Sequence, residues 1–147
     1  MRRLVPLLLM TVLACAHKAS DGPTVLKNET VMEDKAEVVY ELAYAAKGSR
    51  KVELVLKMRV NGLVETSKLV AEVYAQGGFN VDDSGTRWDG FLPPRQPQTF
   101  RVGLVIPEGF DTATATISLT RSHDSFSLMK ETLTFTVDDK GVVKLQG

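Results

Sequence analysis

KVELVLKMRV, residues 51–60, decides the fold. Val52, Leu54, Leu56, Met58 and Val60 share one parity. Lys51, Glu53, Lys57 and Arg59 share the other, with Val55 the exception. Period-two alternation over such a length marks a β-strand with one face in a core and one in water. Strands of that kind belong to antiparallel sheets. Asn61-Gly62 follows, a dipeptide suited to a tight turn because both residues tolerate positive φ.

The same alternation recurs on the C-terminal side. Residues 68–76 place Leu69, Ala71, Val73 and Ala75 on one face, and residues 99–106 do so with Phe100, Val102, Leu104 and Ile106. Residues 112–120 turn Ala113, Ala115, Ile117 and Leu119 inward and leave threonines outside, where a β-branched polar side chain fits a wet sheet face. Leu133, Phe135 and Val137 continue the pattern, and Asp138-Asp139-Lys140-Gly141 predicts a hairpin turn before residues 142–145. Phe126 and Leu128 have the opposite parity from Leu133, so one strand through both needs a bulge near residues 129–131.

Upstream, residues 33–47 read in two ways. Thr30-Val31-Met32-Glu33 matches a helix capping box and Gly48 a helix stop. Val38, Tyr40, Leu42 and Tyr44 alternate as a strand does, and their β-branched and aromatic character favours the strand. The expected fold is therefore all-β: an antiparallel β-sandwich of seven or eight strands over residues 24–147, with short turns between them. The segment LPPRQPQTFRVGLVIPEG, residues 92–109, has a proline-bearing loop, an alternating strand and another proline. It resembles bacterial immunoglobulin-like or fibronectin type III-like domains, which implies an immunoglobulin-like sandwich. A second resemblance is to small water-stress domains of the LEA type, although Asn61-Gly62-Leu63 stands where their Asn-Pro-Asn signature is expected.

The amino terminus reads as an address. Arg2 and Arg3 precede an apolar run, residues 5–13, that is far below the ~20 residues needed to cross a bilayer as a helix. A basic start, a short apolar stretch and small residues before a break form a secretory signal. Val12-Leu13-Ala14-Cys15 resembles the bacterial lipobox. The resemblance implies residues 1–14 as a lipoprotein signal peptide, Cys15 as the lipidated residue, and a membrane partner reached through acyl chains on it. Two or more chains hold stably, since each buried CH₂ contributes about 0.8 kcal/mol. No acidic residue follows Cys15, which in Gram-negative lipoproteins implies the outer membrane, facing periplasm or exterior. Cys15 is the one cysteine in the sequence, so no disulfide supports the fold and packing has to. Residues 15–23 read as the lipidated cysteine and a flexible tether, with His17 in it.

Without the first 14 of its 147 residues the chain keeps 133, room for one domain with a core. It then carries 16 basic and 18 acidic residues and no basic patch, which argues against nucleic acid as a partner. A catalytic constellation is not legible. Ser122-His123-Asp124 holds the letters of a triad, but adjacent residues cannot make that relay. Asp82 and Asp83 lack the spacing of a calcium loop, and Gly77-Gly78 lacks the lysine of a phosphate loop, so no metal or cofactor is expected.

The stretch GGFNVDDSGTRWDGFLPPRQP, residues 77–97, reads as a long connection, and long connections tend to be functional or mobile. It carries Phe79, Arg87, Trp88, Asp89 and Phe91. Arginine and tryptophan dominate binding hot spots, which makes these five the candidate partner-binding set. The competing expectation is that Phe79, Trp88 and Phe91 plug the end of the core. The functional expectation is a non-enzymatic protein-interaction or accessory module of the envelope. A glycan-binding module that stacks sugars on Trp88 is the alternative, and a hydrolase is the least supported.

Overall fold

A computed structural model describes residues 22–76, 78–81 and 85–146. Cys15 and the rest of the lipobox-like segment, the expected signal peptide, His17, Asp82 and Asp83 lie outside the described residues. Among the described residues ten strands form two antiparallel sheets. They are β1 (Thr24–Met32), β2 (Glu37–Ala46), β3 (Lys51–Val60), β4 (Leu69–Gln76), β5 (Asn80–Val81), β6 (Arg87–Gly90), β7 (Gln98–Val105), β8 (Thr112–Arg121), β9 (Ser127–Val137) and β10 (Val143–Leu145). One sheet runs β1-β2-β3-β7-β5 and the other β10-β9-β8-β4-β6. The antiparallel β-sandwich expected from the sequence is the fold observed, with ten strands where seven or eight were expected, because short strands such as β5 and β6 show no period.

The alternating residues do what their parity demands. Leu54, Leu56, Leu42, Val102 and Leu104 of the first sheet meet Leu69, Ala71, Ile117, Leu119 and Phe135 of the second in one core. Phe135 sits at its centre of aromatic packing, edge-to-face with Tyr44 at 5.3 Å and with Phe79 at 6.1 Å. Residues 37–46 are strand, which settles the two-way reading of residues 33–47. The glutamate of the apparent capping box acts on a hairpin turn instead. Glu33 is fully buried, and its carboxylate accepts the backbone N–H of Lys35 and of Ala36 at 3.3 Å each. Its other oxygen accepts Ser67 N–H at 3.0 Å, which ties the β1–β2 turn to the segment entering β4.

Four features depart from the sequence reading. The strand β1 was not legible, because an edge strand that is mostly exposed has no clean alternation. Asn61-Gly62 does not close a hairpin; it begins a crossing to the other sheet, since β3 and β4 belong to different sheets. The expected bulge lies at Leu128, where Met129 pairs with Leu119 and Ser127 with Thr120. Residues 77–97 are not a structureless loop. They hold β5 and β6, strands too short to show a period.

Both ends of the sandwich are fastened by polar groups. At the end where β1 begins, Arg50 has a φ of 61° and joins three connections. Its Nε donates to Ile106 O at 2.8 Å and its Nη2 to Pro107 O at 2.9 Å and to Phe110 O, while its backbone N–H donates to Gly141 O at 2.8 Å. Gly141 is the αL residue of the hairpin turn the sequence predicted, with φ 82°, and a Cβ there would collide with Ser49 Oγ. Along one open side, Lys27 of β1 donates to Glu131 of β9 at 2.6 Å and bridges the two sheets. Tyr40 donates to Glu29 beside it at 3.2 Å, and burial pushes its phenol pKa up.

At the opposite end, Arg121 donates to Glu33 O and grips Asp124 through Nε at 2.9 Å and Nη2 at 2.6 Å. Those bonds, with the Phe126 N–H, hold the Asp124 carboxyl well below the usual carboxylate range. A folded pKa below the unfolded value near 3.9 gives stability that is present above about pH 4. That stability is lost as pH falls through the folded value. Asp124→Asn is therefore expected to flatten the acid limb of the stability profile below about pH 4. Urea titrations of both proteins across that range check this, and identical acid limbs would refute it.

Candidate functional site

The five residues singled out from the sequence divide when the chain folds. Phe79 enters the core beside Phe135, and Trp88 packs half-buried against the same cluster. These two plug the core, as the competing expectation held. Gly90 lies close over the Trp88 ring, and a Cβ at that position would stand 3.1 Å from Trp88 Cζ2. Phe91, just past the end of β6, is half exposed at 50%.

Strand alternation accounts for the split. In β6 Trp88 points inward, so Arg87 and Asp89 point outward. They join an ion chain on the outer face: Arg87 meets Glu72 at 3.5 Å and Asp89 at 3.5 Å, and Asp89 meets Lys68 at 3.9 Å. Exposed pairs of this kind contribute little to stability, about 0–1 kcal/mol each. Their alternating signs leave a neutral patch, which suits a polar rim of a contact surface.

Sequence reasoning missed what surrounds Phe91. Thr66 N–H donates to Leu92 O at 3.2 Å, and Leu92 N–H donates to Thr66 Oγ1 at 3.0 Å. These bonds bring the β3–β4 crossing against the residues after β6. Leu63, 71% exposed, Val64 and Phe91 therefore stand at the same end of the sandwich. Met32 and Phe126, also exposed, belong to that end through the Glu33 and Arg121 contacts. No alternation signals such a surface, because it is assembled from four connections.

The chemistry of titratable groups is sparse here. His123 is exposed in the β8–β9 turn, its Nδ1 3.9 Å from Asp124. Among the described residues no three His, Cys, Asp or Glu side chains are placed to hold a metal ion. Among the same residues no helix is long and apolar enough to cross a membrane. No family model matches the chain, and no curated protein matches it. The functional reading therefore rests on residues and geometry.

Proposed function

We propose that the protein is a lipid-anchored, non-enzymatic interaction module of a bacterial envelope, holding a partner protein at the end of the sandwich that carries Phe91. One observation carries the reading. Met32, Leu63, Val64, Phe91 and Phe126 are all large, apolar and exposed, and they share one end of the domain. Single exposed apolar residues are ordinary, and Val25, Val81, Phe110 and Val142 are exposed toward the Thr24 end, but the five at the Phe91 end include the most exposed of all, Leu63, and are the set turned away from the anchor. Arg87 and Asp89 supply the polar rim of this contact surface.

The direction of β1 supports the orientation. Thr24 pairs with Tyr44 at one end and Met32 with Glu37 at the other. A chain anchored through Cys15 enters the domain at the Thr24 end and presents the apolar end away from the bilayer. The pairing of β3 with β7 in one sheet, and the order β4-β8-β9 in the other, support an immunoglobulin-like connectivity, in which strands B and E pair in one sheet and C, F and G lie side by side in the other. The Trp88 glycan alternative has less support, because the ring backs onto the core.

The test uses the full chain in a Gram-negative host with a photocrosslinking residue at position 91. The wild type is expected in the outer-membrane fraction, with a mass beginning at Cys15 plus acyl chains and a discrete crosslinked partner. Cys15→Ser is expected in the soluble fraction. A soluble wild-type protein would refute the anchor. Loss of no crosslink on replacing Leu63 and Val64 by serine would refute the contact surface.

A further inference from the structure

The outer face of the second sheet carries a site of a different kind. Residues that point outward from β4, β8 and β9 form a shallow trough of about 450 Å³. Its rows follow from the register. Tyr74 is level with Thr116 and Thr132, and Glu72 with Ser118 and Lys130. Thr116 Oγ1 lies 3.0 Å from Thr132 Oγ1, and Thr114 Oγ1 lies 3.0 Å from Thr134 Oγ1. The Thr116–Thr132 bond holds the floor of the trough, and the Thr114–Thr134 bond steadies the same two strands one row beyond it.

We infer that this trough binds a neutral glycan chain, with the Tyr74 ring as the stacking surface and the surrounding hydroxyls and Gln76 as its hydrogen-bonding field. Tyr74 is 60% exposed, with its ring on an otherwise polar face. A flat aromatic face next to polar groups fits the C–H face of a pyranose ring and the hydroxyls on its edge. Serine and threonine hydroxyls both donate and accept, which matches a ligand whose own groups do the same.

Charge decides between occupants. Among the described residues, those lining the trough include no carboxylate and a single cation, Lys130. Glu72, at its margin, is paired with Arg87. A nucleic acid or other polyphosphate needs several cations along its path. A peptide that adds as a strand needs a free sheet edge, and β8 has β4 on one side and β9 on the other. A neutral, hydroxyl-rich polymer fits what remains. The trough borders the Phe91 end at Ser125 and Ser127, which flank Phe126, but Tyr74 lies five residues along β4 from Leu69 and the binding needs no lipid anchor, so the Tyr74 and Phe91 variants test the two assignments independently.

The test is isothermal titration of the full chain, held in a detergent without a sugar headgroup, against cellohexaose and chitohexaose. The two arms separate a plain glucan from an N-acetylated one. At least one is expected to bind. Tyr74→Ala should weaken that binding about tenfold or more, which is ~1.4 kcal/mol. Tyr74→Phe should keep it within about threefold, since the ring remains. Phe91→Ala should leave it unchanged. Affinity should vary less than about twofold between low and high salt, because no ion pair is involved. Absence of binding to both at millimolar concentration would overturn the inference. So would a Tyr74→Ala protein that melts like wild type and binds equally well, or an affinity that collapses in salt.

Discussion

Replacing Phe135 with alanine is expected to destabilise the domain by about 3–5 kcal/mol, the range for a fully buried aromatic truncated in a core. Its side chain has no exposure, and it is the ring on which Tyr44 of the first sheet and Phe79 of the β4–β5 connection both rest. Truncation removes the transfer energy of the ring and leaves a cavity that two strand ladders are too rigid to fill. Each edge-to-face pair contributes about 0.5–1.5 kcal/mol beyond burial, and both are lost. For a domain of this size the melting temperature should fall by roughly 10–20 °C. Phe135→Leu keeps much of the volume and should cost less, about 1–3 kcal/mol. Urea unfolding with an unchanged slope and a lowered midpoint is the readout. A loss below about 1 kcal/mol for the alanine variant would show that the core closes around the gap.

Glu33→Ala is expected to cost about 2–4 kcal/mol although no apolar core side chain is shortened. The carboxylate accepts from Lys35, Ala36 and Ser67, and removing it leaves those backbone donors without their acceptor in a site closed to water. The loss is local in origin and wide in effect, because Ser67 belongs to the crossing that carries the chain from the first sheet to the second. Glu33→Gln keeps one of the two oxygens and should cost roughly half as much. Amide hydrogen exchange adds a reading the midpoint lacks. In the alanine variant Ser67 and Ala36 should lose protection before the strands do. Equal stability of all three proteins would mean that water reaches the turn and replaces the carboxylate.

How far the fold was legible follows from the length of each strand and the number of faces it buries. Lys51–Val60 and Thr112–Arg121 are long and one-sided, so their period of two stands out in the sequence. Val38 to Tyr44 competed with a helical reading only because Glu33 mimics a cap, and the mimicry has a cause. The same short reach that lets a glutamate cap a helix lets it cap a turn. Asn80–Val81 and Arg87–Gly90 are too short for any period to show, whereas Val143–Leu145, equally short, was announced by the turn at residues 138–141; each exists because a neighbouring strand already offers a ladder. The pairing of Arg87–Gly90 with Leu69–Glu72 then settled which of the candidate residues faces water.

By itself the sequence determined that the chain is all-β, which residues of the long strands face inward, and that a lipobox-like segment precedes the domain. Those follow from local periodicity and composition, which need no knowledge of partners. Only the tertiary structure decided which strands lie side by side, that Trp88 and Phe79 belong to the core, and that Leu63, Val64 and Phe91 share an end. It alone set Tyr74 level with Thr116 and Thr132. The reason is physical: strand pairing is non-local, so register and loop convergence depend on contacts between residues far apart in the chain, and no window of sequence contains them.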